Sequence, residues 1–130
     1  MTNPIAVMIV DDNSQARRAL ASCLSHQPGV RIVAQASNGL ETIRLIPAHM
    51  PDIIVLDMFM PIMDGLETTK IIKEKWPKIK IVILTMYPDY QYEALASGAD
   101  AFMIKGDPFQ HLMDSIRSLA QPNKVGSTCA

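Results

Sequence analysis

The sequence predicts a doubly wound α/β domain: five parallel strands in the order 2-1-3-4-5, with five helices covering both faces of the sheet. Three observations carry this. Short apolar runs of strand length alternate with segments of helical period along nearly the whole chain. Most of those runs are apolar at successive positions, as in strands buried on both faces of a parallel sheet. Four of them end in a charged or hydroxyl residue: residues 5–10 in Asp11-Asp12, 53–56 in Asp57, 79–84 in Thr85 and 101–104 in Lys105. Parallel strands point their carboxyl ends toward one edge, where open α/β sheets bind ligands.

After the first run, Ala16, Ala19, Leu20, Cys23 and Leu24 recur at helical spacing. Asn13 or Ser14 supplies the cap, and Pro28-Gly29 the stop. Residues 30–36 form the second strand. Asn38-Gly39 opens a helix carrying Leu40, Ile43 and Ile46, whose last turn Pro47 should kink or fray because it lacks an N–H. Residues 61–65 form a loop into a third helix, which turns Leu66, Thr69, Ile72 and Trp76 inward and stops at Pro77. The fourth helix sets Tyr92, Leu95, Ala96 and Ala99 on one face, with Gly98 near its end. The fifth has Pro108 in its first turn and a stripe of Phe109, Leu112, Met113, Ile116 and Ala120. Of the two common doubly wound orders, 2-1-3-4-5 suits a five-stranded chain of this size. It makes the first and third strands neighbours, so Asp11, Asp12 and Asp57 converge, with Thr85 and Lys105 approaching from the adjacent strands.

The 130 residues suffice for one domain, and 48% apolar content supports a real core. A net charge of −1 argues against nucleic-acid or membrane binding driven by charge. No stretch approaches the ~20 apolar residues of a membrane span, and no basic segment precedes the first run, so the expected location is cytoplasmic. Cys23 and Cys129 form no metal or redox spacing, and a disulfide is not expected because Cys23 falls on the apolar helix face. His26, His49 and His111 share no ligand spacing. Nine methionines fill gaps in a core. The domain is expected over residues 1–120. Residues 121–130 are polar and without period, a tail or the start of a linker.

Three convergent carboxylates repel one another and stay ionised only with positive charge among them. Hard oxygen donors with room for water suit Mg²⁺. Three carboxylates and one lysine leave a formal charge of −2, which one Mg²⁺ would cancel. A dianionic phosphoryl group then meets little repulsion. A carboxylate can act as its nucleophile, and phosphoryl transfer needs chiefly positioning and electrostatic stabilisation. Plainer readings exist: Asp11-Asp12 as helix cap, Thr85 as a strand-end residue, Lys105 as a surface lysine, Phe102 as core.

At these residues the chain resembles the receiver domain of bacterial two-component response regulators, the flavodoxin-like (CheY-like) fold. The matching elements are Asp11-Asp12, Asp57-Met-Phe-Met-Pro61 with Asp64-Gly65, Thr85, and Gly98 to Lys105, in order, over about residues 5–120. The resemblance implies Asp57 as phosphoacceptor, Asp12 as a direct Mg²⁺ ligand, Asp11 acting largely through water, and the Phe59 carbonyl as a further ligand. It implies that Lys105 pairs with the phosphoryl oxygens, that Thr85 moves to bond them, and that Phe102 swings inward as the aromatic switch. Four positions depart from the common pattern. Phe102 is often Tyr and lacks a hydroxyl. Met86 is often small and would narrow access to Asp57. Phe59 would restrict the attacking water. Gly106 stands where many receivers have Pro.

An Asp-nucleophile phosphatase of the haloacid-dehalogenase kind needs a second Asp two residues after the nucleophile. Phe59 stands there, so the expectation is a switch rather than an enzyme. An interaction-only receiver usually loses the acidic pair, the acceptor or the lysine, and none is lost here. The expected phosphodonor is a sensor histidine kinase or a histidine phosphotransfer protein. The segments around Trp76 to Thr85 and Gly98 to Asp107 are similar to NarL/LuxR-type receivers. That resemblance implies transcriptional output through a DNA-binding domain beyond this chain; homodimerisation on phosphorylation would use the exposed face of the last helix, alone or with its neighbours. No nucleic acid would be bound by the receiver itself. A stand-alone receiver acting by protein–protein contact is the alternative.

Overall fold

The computed structural model describes residues 3–121. Five strands form one parallel sheet in the order β2-β1-β3-β4-β5. The strands are β1 (Ile5–Val10), β2 (Val30–Ala36), β3 (Ile53–Leu56), β4 (Lys80–Thr85) and β5 (Ala101–Ile104). The helices between and after them are α1 (Ser14–Ser25), α2 (Gly39–His49), α3 (Gly65–Lys75), α4 (Gln91–Ala96) and α5 (Phe109–Ala120). A 3₁₀ turn, Pro88–Tyr90, leads into α4. Thr85, expected just past its run, is the last residue of β4 and pairs with Ile104.

Alternation along each strand splits the core into two layers. Val7, Ile9, Ile53, Val55 and Val82 face α1 and α5, meeting Leu24, Leu112, Met113 and Ile116. Met8, Val10, Ile54, Leu56, Ile81 and Ile83 face α2, α3 and α4, meeting Ile46, Ile72 and Ala94. Strands apolar on both sides are therefore the direct consequence of helices on both faces. Between Val7 and Met8 the β1–β2 register slips by one residue, so that Val7 pairs with Ile32 and Met8 with Ala34. This bulge turns the face of β2: Ile32 packs in the α1/α5 layer, Ala34 and Ala36 in the other.

The expected caps form at α1 and α2, where Asn13 Oδ1 accepts from Ala16 N and Asn38 Oδ1 from Glu41 N. Asp64 caps α3 in the same way. Helix α2 continues past Pro47 to His49 and ends at Met50 in the left-handed region, φ 38°. The α5 stripe matches expectation, with Leu112, Met113 and Ile116 buried.

Three helix faces differ from the sequence reading. In α1 the inward residues are Ala21 and Leu24 with Arg17 and Leu20 half-buried, while Ala16, Ala19 and Cys23 are exposed. The face is rotated by about one residue, because Arg17 reaches inward to a carbonyl at the end of β1 and small side chains lose little by facing water. Cys23 is accordingly a free, exposed thiol, and Cys129 lies outside the described residues. In α2, Leu40 is exposed and Gly39 and Thr42 are buried in its place, because α2 lies so close to α3 that a Cβ on Gly39 would fall on Thr68 Oγ1. In α4, Tyr92 is 81% and Leu95 45% exposed, while Ala94, Ser97 and Ala99 are buried. A six-residue helix packs through a single turn, and small residues supply it.

The start of α3 is pressed against the end of β3. A Cβ on Gly65 would collide with the Asp57 carbonyl oxygen and lie 2.8 Å from Met58 Cα. Gly29 has only its backbone to satisfy: its φ is +78°, and a Cβ there meets nothing within 4 Å. In urea titrations Gly65→Ala is expected to cost about 3 kcal/mol and Gly29→Ala about 1 kcal/mol. A reversed order would show that the β3–α3 approach is not tight.

Candidate functional site

Each functional side chain stands at a strand's carboxyl end, and neighbouring strands fix the spacing between them. β1 and β3 are adjacent, with Val10 paired to Leu56, so Asp11 and Asp57 leave the sheet side by side. The Asp57 N–H donates to the Val10 carbonyl at 3.0 Å, extending the ladder one step into the site. One carboxylate oxygen from each of Asp11, Asp12 and Asp57 lies within 4.8 Å of the other two. Lys105, one residue past β5, reaches across the β4 end. Its Nζ lies 3.0 Å from Asp11 Oδ2 and 3.3 Å from Asp57 Oδ2. Its own N–H donates to the Thr85 carbonyl at 2.8 Å.

The three carboxylates differ in environment. Asp11 is buried, its Oδ1 accepting from Asn13 N at 2.9 Å and its Oδ2 from Lys105. Asp57 is half-buried, with Oδ1 accepting from Met58 N at 2.8 Å and Oδ2 from Lys105 at 3.3 Å. Asp12 is exposed. Burial pushes the Asp57 carboxyl above its ordinary range. Lys105 pulls it down without cancelling the rise, and Asp11 adds to it. Burial pulls the Lys105 ammonium down, but the hydrogen bond to Asp11 and the charges of Asp57 and Asp11 outweigh it and hold it above its ordinary range.

The remaining expected residues fall around this cluster. Thr85 is fully buried, and its Oγ1 accepts from Tyr87 N at 3.4 Å. Phe102 is partly buried against the α2/α3/α4 layer, opposite Ile83. Met86 is 67% exposed. The Lys105–Gly106 peptide is trans, and Gly106 takes φ 98°. His26, His49 and His111 are exposed and stand apart from the cluster.

Two features escaped the sequence reading. The Phe59 ring packs edge-to-face on Tyr87 and Tyr90, with centroids 5.0 and 5.1 Å apart. This aromatic group joins the β3–α3 loop to the β4–α4 loop. No periodicity signals it, since all three residues lie outside regular strands and α-helices. The second is Arg17, whose Nη1 donates to the Asp11 carbonyl at 2.8 Å. Its place one turn after Asn13 was the available signal, masked by the misjudged face of α1.

The sign of the Asp57 shift has a consequence for stability. A carboxyl raised in the folded protein favours folding when protonated, and that contribution is lost as pH rises from its ordinary value through the raised one. In Mg²⁺-free buffer Asp57→Asn is therefore expected to melt above wild type at neutral pH. The gap should close as pH falls below the ordinary carboxyl range. A variant that melts lower at neutral pH would show that the Lys105 pair outweighs burial.

Comparison with known proteins agrees with this geometry. Residues 7–117 match the response regulator receiver domain. The oxygen regulatory protein NreC of Staphylococcus epidermidis is 35% identical over 118 residues, covering 88% of this chain and 54% of that protein. The transcriptional regulatory protein LiaR of Bacillus subtilis is 34% identical over 119 residues, covering 90% and 56%. The chain thus spans about half the length of the curated relatives it matches. Among solved structures, a LuxR-family two-component response regulator from Aurantimonas sp. SI85-9A1 superposes with a TM-score of 0.86 at 28% identity, covering 91% of this chain and 86% of that one. With the strand order, the convergent acidic cluster and these relatives in agreement, the chain belongs to the response regulator receiver domain family.

Proposed function

We propose that this receiver is a phosphorylation-dependent switch in which Asp57 accepts a phosphoryl group from the phosphohistidine of a sensor histidine kinase or a histidine phosphotransfer protein. The observation that carries the proposal is the single ammonium of Lys105 held between Asp11 and Asp57, with Asp12 beside them. In the transfer an Asp57 oxygen bonds to phosphorus as the phosphorus–imidazole nitrogen bond breaks and the imidazole leaves. The Met58 N–H, already on Oδ1, orients the attacking carboxylate. Lys105 turns from the carboxylates to the new phosphoryl oxygens.

The donor set fits Mg²⁺. It is all oxygen, anionic and open to solvent at Asp12, and a spacing of up to 4.8 Å suits a cation held partly through water. Asp12 and Asp57 would be direct ligands, with the Phe59 carbonyl, and Asp11, the most deeply buried of the three carboxylates, would act largely through water. Bound there, the ion offsets the charge between carboxylates and incoming phosphate.

Thr85 reports the modification. Its hydroxyl, which accepts from the Tyr87 N–H, turns to donate its proton to a phosphoryl oxygen, and the vacated space admits Phe102 from its half-buried position. Met86 and Phe59, at the rim, set access for donor and water. The output is transcriptional, through a DNA-binding domain outside this chain. This reading is supported by the regulators NreC and LiaR, of which the chain spans about half. The receiver itself binds no nucleic acid, and phosphorylation favours a homodimer through α5.

Incubation with Mg²⁺ and a small phosphodonor, read by intact mass, should add one phosphoryl group to wild type and none to Asp57→Asn. Lys105→Ala should slow the addition by about 10²-fold or more. No adduct on wild type would overturn the switch. Met86→Ala should speed addition and Phe59→Asn should shorten the phosphoryl lifetime, and unchanged rates would remove both residues from rate control. On gel filtration a phosphoryl mimic should shift the chain from monomer to dimer; an unchanged monomer would exclude α5-driven pairing.

A further inference from the structure

We infer that Arg17 is a positioning residue for the cation site, acting through the Asp11–Asp12 peptide, an inference that rests on the Mg²⁺ reading above. Asp11 has every polar group engaged. Its N–H donates to the Ala36 carbonyl of β2 at 3.1 Å. Its carboxylate oxygens accept from Asn13 N and Lys105 Nζ. Its carbonyl accepts from Arg17 Nη1 at 2.8 Å. That carbonyl belongs to the peptide leading into Asp12. No hydrogen bond to the Asp12 carboxylate is found among the described residues, so its aim is set by the backbone that carries it.

Arg17 is itself held. Its Nε donates to Gln35 Oε1 at 3.3 Å. Gln35 reaches that side of the sheet because of the β1–β2 bulge: past the register slip the even residues Ala34 and Ala36 face the other layer, which turns Gln35 toward α1. No carboxylate lies within 4.0 Å of the Arg17 guanidinium among the described residues, so the group is committed to a carbonyl and an amide rather than to an ion pair. The planar guanidinium holds its donors in a fixed fork, so Nε and Nη1 meet two acceptors on different elements in one rigid geometry, where a lysine would offer a single flexible ammonium. The bulge, Gln35, Arg17 and the Asp11 carbonyl thus form one chain of contacts ending at the metal-facing carboxylate.

A positioning role and a mere charge role predict opposite signs. A cation near three carboxylates repels Mg²⁺, so deleting its charge alone would tighten binding. Losing the anchor on the Asp11–Asp12 peptide would weaken it, by about 10–100-fold for an outer partner of a metal ligand. Calorimetric titration of Mg²⁺ into the 130-residue chain, without phosphodonor, reads this directly. Arg17→Ala is expected to weaken binding within that range, Arg17→Lys to recover part of the loss, and Gln35→Ala to lose a few-fold. Equal or tighter binding by folded Arg17→Ala overturns the inference while wild-type binding leaves the Mg²⁺ reading standing. A lowered melting temperature with unchanged Mg²⁺ affinity overturns it as well, since that is a purely structural role. If Arg17→Ala does not fold, the exposed Gln35→Ala decides, and unchanged affinity there overturns the inference. A wild type that binds no Mg²⁺ removes the metal reading and the inference together.

Discussion

One ammonium between two carboxylates organises the C-terminal edge of the sheet. Asp11 is only 6% exposed, and an anion at that depth is costly unless paired and hydrogen-bonded. Lys105 supplies the pairing and the Asn13 N–H completes the bonding. The same ammonium reaches Asp57, so three strand ends, from β1, β3 and β5, are tied through one charge. This arrangement depends on β1 and β3 being neighbours with Val10 opposite Leu56. It also depends on β4 carrying Lys105 inward through the Thr85 carbonyl. The cluster remains short of positive charge, with three carboxylates around one ammonium.

The surrounding loops meet constraints set by that edge. Gly65 brings the first turn of α3 against the Asp57 backbone, where a methyl group would not fit. This holds the residues after Asp57, including the Phe59 carbonyl, in one place. Phe59 in turn leans on Tyr87 and Tyr90. The Tyr87 N–H contacts Thr85 Oγ1. The loop after Asp57 and the loop after Thr85 are thus in contact through side chains as well as through the sheet.

Strand ends and helix faces were unequally legible. β1, β2, β3 and β5 have the expected bounds; β1 and β3, covered on both sides, are apolar throughout, while the edge strand β2 also carries exposed Arg31 and Gln35. Helix faces are read from a periodicity that small residues blur. In α1, Ala16, Ala19 and Cys23 looked as apolar as Ala21 and Leu24, and only the pull on Arg17 shows which side turns inward. In α4, Tyr92 and Leu95 suggested a buried face, but six residues pack through Ala94 and Ser97.

The sequence by itself determined the order of elements, the strand order and the identity of Asp11, Asp12, Asp57, Thr85 and Lys105 as one group. Those follow from residue types at the ends of buried runs, and a parallel sheet leaves little freedom in where such ends go. Only the tertiary structure decided how the group is held. It placed Lys105 between two carboxylates, buried Asp11 while exposing Asp12, joined Phe59 to two tyrosines, and turned Gln35 and Arg17 toward the Asp11 carbonyl. Each of these depends on distances between elements far apart in the chain, or on a one-residue slip in strand register. Local sequence does not encode either, because packing between elements fixes both.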